Sequence, residues 1–257
     1  MSDVKLKRIT EEFQENVTDI TDKIVNILDL FEKHLTNHKL SYFYKKNVQS
    51  KQEIKDFVFS RSDIMHLVGI KAYRINSFAE IKTVLKDTIT FTNAERFYSD
   101  YLSHKIDWNN VWIDSSEYLI QKLDALNLLP NIKEYGVQIG DYLILKNFEV
   151  DSFLKSKSTL AIGFYSENTD SSQLIAYHPR TSLNLSTRPK PITAYKVTKI
   201  IDYKINHSGI YEHIKTYNFS ANIQKENSKK RKIVTIKKGT NNIFVSLCLH
   251  VYQSKVT

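Results

Sequence analysis

The chain has 257 residues, with 37 Lys and Arg against 28 Asp and Glu, a formal net charge of +9. That length suits one large domain or two small ones, and six Gly and four Pro exclude a collagen-like or linker-dominated chain. No apolar run approaches the roughly 18 residues of a membrane span, residues 1–8 carry no apolar signal-peptide core, and the single cysteine, Cys248, excludes an internal disulfide or a zinc site built from cysteines.

In chain order, the first forty residues read as one long helix. Phe13, Val17, Ile20, Ile24, Ile27, Phe31 and Leu35 recur at spacings of four and three, the period of one apolar helical face. Thr10, followed by Glu11 and Glu12, suits its start. Basic and acidic residues balance at eight each through position 47, so this segment fits packing or self-association better than a nucleic-acid arm. Residues 40–44 and 53–59 are aromatic and β-branched, which predicts two strands. Ser62 is then the cap of a short helix over 63–68, stopped by Gly69. Helical stretches follow at about 77–87, 92–105 and 114–128, with Ser77, Thr92 and Asp114 as caps and Pro130 closing the set.

Beyond Pro130 the helical period fades, and strands are expected over 142–148, 159–165, 173–178, 192–203, 211–219, 232–237 and 242–252. Helices first and strands later predict an α+β fold, with N-terminal helices packed on a C-terminal antiparallel β-sheet. Three parts are expected: an amphipathic helix over 1–39, an α+β domain over 40–203 and a basic, β-rich extension over 204–257. Charge is unevenly spread along the chain. Residues 1–187 hold 23 basic and 25 acidic side chains, and residues 188–257 hold 14 and 3. Such a tail marks contact with a polyanion or serves solubility alone.

The strong catalytic signatures are missing. There is no phosphate-binding glycine loop, no dinucleotide fingerprint, no nucleophile elbow, no His-Glu-x-x-His and no paired Cys-x-x-Cys. His34 and His38 lie four apart, a spacing that can share a metal, but no third ligand accompanies them and both also suit a helix end. No metal and no cofactor are expected.

Three segments stand out. Phe59-Ser60-Arg61-Ser62-Asp63-Ile64-Met65-His66-Leu67-Val68-Gly69-Ile70 joins a strand to a short helix carrying His66. Gly163-Phe164-Tyr165 lies in a buried-looking strand, and Pro179-Arg180-Thr181-Ser182-Leu183 follows another. In this order they resemble the phage-type barnase–EndoU–colicin–RelE-like nuclease family, over roughly residues 40–203. The resemblance implies a small antiparallel sheet packed on helices, metal-independent RNA cleavage in phages, prophages and other mobile elements, and His66, Arg180 and Thr181 as the site.

The residue types suit that chemistry. Cleaving RNA without a metal needs proton transfer at the 2′-hydroxyl and leaving oxygens, and fixed positive charge at the phosphorus. A histidine with an ordinary pKa serves either proton role, an arginine fork fits two phosphate oxygens, and a threonine hydroxyl adds a donor. His178 offers a second proton-transfer group, and Tyr165 and Tyr177 offer stacking faces. Plainer readings stand beside these: a hydrogen-bonded structural histidine, an arginine paired with a carboxylate, and core tyrosines.

The run Lys229, Lys230, Arg231, Lys232, followed by Lys237 and Lys238, brackets an apolar strand. It suits an RNA backbone clamp and equally an edge strand kept soluble by lysines. The expected reading is a cytoplasmic, ribonuclease-like protein whose partner is RNA, tRNA included, or another polyanion. The alternative is a non-catalytic module that binds nucleic acid or a host protein. Membrane contact is not expected, and self-association through the first helix is a further expectation.

Overall fold

A computed structural model describes residues 6–75, 93–113, 116–145, 148–167, 175–185, 193–223 and 225–226. The chain divides into two compact units, Met1–Tyr217 and Asn218–Thr257. Among the described residues no helix is long and apolar enough to cross a membrane.

The expected long helix is interrupted. After a two-residue strand β1 (Lys7–Arg8) come α1 (Ile9–Phe13), a 3-10 turn (Gln14–Asn16) and α2 (Val17–His34). Gln14 has φ of +30°, which breaks the helical run after Phe13. Helix α2 buries Ile20, Ile24, Ile27, Leu28 and Phe31, so its apolar face is taken up within the chain's own fold. It ends earlier than the spacing predicts because Asn37 takes φ of +61°, a left-handed conformation that asparagine tolerates after a helix. Its backbone N–H is already directed to the Phe59 carbonyl at 3.0 Å. His38 therefore begins a strand and does not share a helix face with His34.

Seven strands close into a ring. They are β2 (His38–Tyr44), β3 (Glu53–Phe59), β6 (Gln138–Leu145), β7 (Phe148–Lys155), β8 (Leu160–Glu167), β9 (Ala176–Asn184) and β10 (Tyr195–Ile205). The order around the ring is β10-β2-β3-β9-β8-β7-β6, and β6 returns to β10 through Tyr195↔Ile139 and Lys196↔Gln138. Every neighbouring pair is antiparallel except β3 and β9, which run parallel through Asp56↔Ala176 and Phe57↔Tyr177. Strand β11 (Tyr211–Asn218) adds to β10 outside the ring. A separate small sheet joins β1, β5 (Val111–Ile113) and β4 (Ile70–Tyr73).

The expected α+β arrangement, with N-terminal helices packed on a C-terminal antiparallel sheet, is overturned. The fold is mostly β and centres on a barrel, and α2 is its one long helix among the described residues. The physical reason is pairing at long range. Strands β2 and β3 come from the supposed helical half, and β10 returns over more than 150 residues to pair with β2, as in Asp202↔Leu40. The parallel β3–β9 contact also replaces the antiparallel neighbour that a simple meander would supply.

The inside of the ring is identified by contacts that cross it. Lys55 of β3 donates to Asp141 of β6 at 2.6 Å and to Ser152 of β7 at 3.2 Å, although other strands separate β3 from both along either arc. Phe57, Phe59 and Phe164 meet on the same side, with Phe57 and Phe164 centroids 4.3 Å apart. A 3-10 segment, Leu129–Lys133, closes one end. Tyr42 Oη donates to the Ile132 carbonyl at 2.9 Å, and Lys133 Nζ donates to Asp202 at 2.7 Å and to the His34 carbonyl. His38 Nδ1 shares a 2.6 Å hydrogen bond with Asp202. Burial pushes the Asp202 carboxyl up, but hydrogen bonds from His38 and Lys133 outweigh it and hold it below the usual carboxylate range.

Candidate functional site

Strand β3 ends at Phe59, and α3 (Asp63–Leu67) starts four residues later. The cap differs from expectation. Ser62 makes no side-chain cap bond, whereas Asp63 accepts the Ser60 backbone N–H at 2.6 Å and so holds the turn. Ile64, Met65 and Leu67 are buried, and Gly69 with φ of +86° stops the helix as its position predicts. His66 remains half-buried at the helix's end.

Arg180 owes its placement to an irregularity in β9. Thr181 lies opposite Gly163, but Pro179 lies opposite Phe164, so Arg180 is the extra, unopposed residue of a bulge. Bulges re-aim side chains that alternation would otherwise fix. Strand β9 thus runs through the Pro-Arg-Thr-Ser-Leu segment, which the sequence places after a strand. Gly163 makes the close approach possible. A Cβ there would stand 2.7 Å from Val150 Cγ1 and 3.2 Å from Thr181 Cγ2.

Two hydrogen bonds tie α3 to its surroundings. Ser182 Oγ, buried, donates to the Leu67 carbonyl at 2.9 Å. Lys122 Nζ, from α5 (Ser116–Leu126; α4 is Ala94–Leu102), donates to the His66 carbonyl at 3.3 Å. His66 therefore sits among elements drawn from three regions of the sequence. Burial pushes its imidazole down to about 3, and the positive charges of Lys122, Lys71 and Arg180 add to that effect. The positive charge of Arg180 thus acts on His66, the weakest of the four causes.

The remaining expected residues fall as follows. Arg180 is half-buried, and Nη1 lies 3.5 Å from the Glu149 carbonyl. Thr181 is buried, its hydroxyl turned to the Ser182 carbonyl at 3.4 Å. His178 pairs across the strands with Tyr165, ring centroids 6.1 Å apart. Tyr177 stands 5.4 Å from Phe57 and under the Lys55 ammonium at 5.2 Å, a barrel-lining position. Lys229, Lys230, Arg231, Lys232, Lys237 and Lys238 lie outside the described residues.

Lys71 and Lys122 are the members that sequence reasoning missed. For Lys122 a signal exists: Leu119, Leu123 and Leu126 form a buried stripe at helical spacing, and Lys122 falls within it. A lysine on a buried face is rarely there without a partner. Lys71 follows Ile70 in a strand too short to show a pattern.

A nearly neutral imidazole bordered by three cations is an arrangement for an anion. It can accept a hydrogen bond or a proton once a bound negative charge offsets the cations. Among the described residues no group of three or more His, Cys, Asp or Glu gathers in a way that could hold a metal ion.

Comparison with protein-family models matches residues 23–243 to the phage-Barnase-EndoU-ColicinE5/D-RelE like nuclease4 model. The match is wider than the resemblance over 40–203, taking in most of α2 and reaching past β11. No curated protein and no solved structure matches.

Proposed function

The chain belongs to the phage-Barnase-EndoU-ColicinE5/D-RelE like nuclease4 family, and from that premise we propose that it is a ribonuclease acting without a metal at the His66–Arg180 cluster. The observation that carries this reading is the Lys122 ammonium on the His66 carbonyl at 3.3 Å, with the positive charges of Lys71 and Arg180 also acting on the imidazole. In the proposed reaction Arg180 and the two lysines hold the phosphodiester oxygens. Their charge stabilises the five-coordinate transition state. His66 takes the 2′-hydroxyl proton, the 2′ oxygen bonds to phosphorus, and the bond to the 5′ oxygen breaks, that oxygen taking a proton from water. The products are a 2′,3′-cyclic phosphate and a 5′-hydroxyl end. Thr181 acts as a supporting residue through its packing beside the bulge.

A bound phosphate removes part of the obstacle. With the cations compensated by substrate, the imidazole regains the basicity that they suppress, while burial, the larger cause, still holds it down. The test is incubation of purified protein with tRNA and total RNA in EDTA, beside His66→Ala and Arg180→Ala. Cleavage by the wild type, with cyclic-phosphate ends, and a loss of at least a hundredfold in both variants is expected. Absence of cleavage, or equal cleavage by all three, removes the mechanism.

A second reading is favoured by two observations: Thr181 is buried, and the His66 imidazole is held well below its ordinary range. Both suit a module that binds a polyanion without cutting it. Under that reading RNA is retained on a filter, the retention falls in Arg180→Ala, and no product appears.

A further inference from the structure

The side of the barrel built from β2, β10 and β11 carries aromatic rings and ammonium groups in alternation. Register pairs Lys39 with Tyr203 and Phe43 with Lys199, on the face opposite the buried Leu40–Asp202 pair. Lys39 Nζ lies 4.8 Å from the Tyr203 ring centroid and 4.3 Å from that of Tyr211. Lys199 Nζ lies 3.7 Å from the Phe43 centroid. The Tyr203 ring meets His213 edge-on at 6.1 Å.

This face is open. Residues 207–216 are all exposed, with Tyr211 at 41% and Ile214 at 52%. Among the described residues β11 has β10 on one side and no strand on the other.

Its charge is also unbalanced. Lys39 and Lys199 stand on this face, whereas Lys204 and Asp202 lie on the opposite one, where Asp202 pairs with Lys133 and His38. Glu212 of β11 accepts from Asn206 at 2.7 Å. Asp56 partly offsets Lys39 at 3.6 Å. A protein partner of ordinary composition would bury this excess at a cost, whereas a strand of phosphates neutralises it.

We propose that this face binds single-stranded nucleic acid, stacking bases on Tyr211 and Tyr203 and holding phosphates with Lys39 and Lys199. Flat rings interleaved with cations are what an unpaired strand requires, because every base has a π-face and every linkage a charge. A duplex hides its bases and offers only the charge. The surface shares no residue with the His66 cluster, so the inference goes beyond the proposed cleavage and does not depend on it.

The test is fluorescence anisotropy of the full chain with a labelled twelve-nucleotide single strand, in EDTA, using a deoxy strand so that no 2′-hydroxyl can react. Tyr211→Ala should weaken binding about fivefold or more, the lower end of what one stacked base contributes. Lys39→Gln combined with Lys199→Gln should weaken it further and flatten its salt dependence. Lys105→Gln, at an exposed lysine outside this face, should bind as the wild type does. A duplex of the same length should bind more weakly than the single strand. Thermal midpoints of the variants, measured alongside, separate lost contact from lost fold.

Wild-type affinity in Tyr211→Ala and in the lysine pair overturns the proposal, as does a duplex bound equally well. Loss of binding in Arg180→Ala alone also overturns it, moving the contact to the His66 cluster. Failure of the wild type to bind any single strand overturns it while leaving the cleavage assay to judge the catalytic reading separately.

Discussion

Lowering the pH from 7 to 5 should destabilise the wild-type protein more than His66→Gln. The imidazole ordinarily titrates at 6.5 and is pushed down to about 3 in the fold, by burial first and then by Lys122, Lys71 and Arg180. The unfolded chain therefore binds a proton in a range where the folded chain does not. Above 6.5 the histidine is neutral in both states and the stability is fully present; as pH falls below 6.5, stability is lost down to about 3. At pH 5 the difference amounts to about 2 kcal/mol from this one group, on a slope approaching 1.4 kcal/mol per pH unit. Urea unfolding at both pH values, for both proteins, isolates the effect, because every other titrating group contributes equally to each. The wild type should lose about 2 kcal/mol more than His66→Gln between pH 7 and 5. Parallel losses in the two proteins would refute the account of the cluster, since an exposed histidine away from the cations produces no such gap. Bound polyanion should shrink the gap, because it offsets the three cations.

Two further outcomes follow from packing and from charge. Gly163→Ala should cost about 1–3 kcal/mol, since the new methyl would press on Val150 at 2.7 Å. Adding Val150→Ala should recover part of that cost, and a double-mutant cycle that is additive within about 0.5 kcal/mol would show that the contact is not the cause. Lys133→Met should cost about 3–5 kcal/mol, because Asp202 would keep a buried charge with His38 as its remaining side-chain partner. Chemical denaturation measures it, and Lys133→Met combined with Asp202→Leu should be less damaging than Lys133→Met alone.

Local features were legible in the sequence and remote ones were not. Strands β2 and β3 and the short helix ending at Gly69 fall close to where alternation, helical spacing and glycine predict them, because each depends on neighbours within a few residues. Strand β7 left no pattern. Ser152 occupies a buried position, where its hydroxyl donates to the Gly140 carbonyl at 2.8 Å, and Phe153 lies over Gly140 on the opposite face. Hydrophobic alternation therefore fails in both directions. Pro179 follows a strand in the sequence reading, yet β9 continues through it where the bulge loosens the ladder. Ring closure is invisible locally, because it joins Tyr195 to Ile139 and Asp202 to Leu40. The family resemblance identified His66 and Arg180 as partners, while the cations beside them became apparent only once α5 and β4 were packed against α3.

The closing strand also bears on how the protein is made. β10 is the last of the seven ring strands to leave the ribosome, and it supplies the second neighbour of both β2 and β6. A nascent chain that stops before Tyr195 carries Arg180, His66 and both cluster lysines, but it exposes two long unpaired strand edges. Such edges are templates for joining other chains. Translation pauses or truncation in this interval should therefore yield aggregates that recruit one another, not a smaller working protein. The few residues that join β10 to β6 separate a self-contained ring from a sticky ribbon.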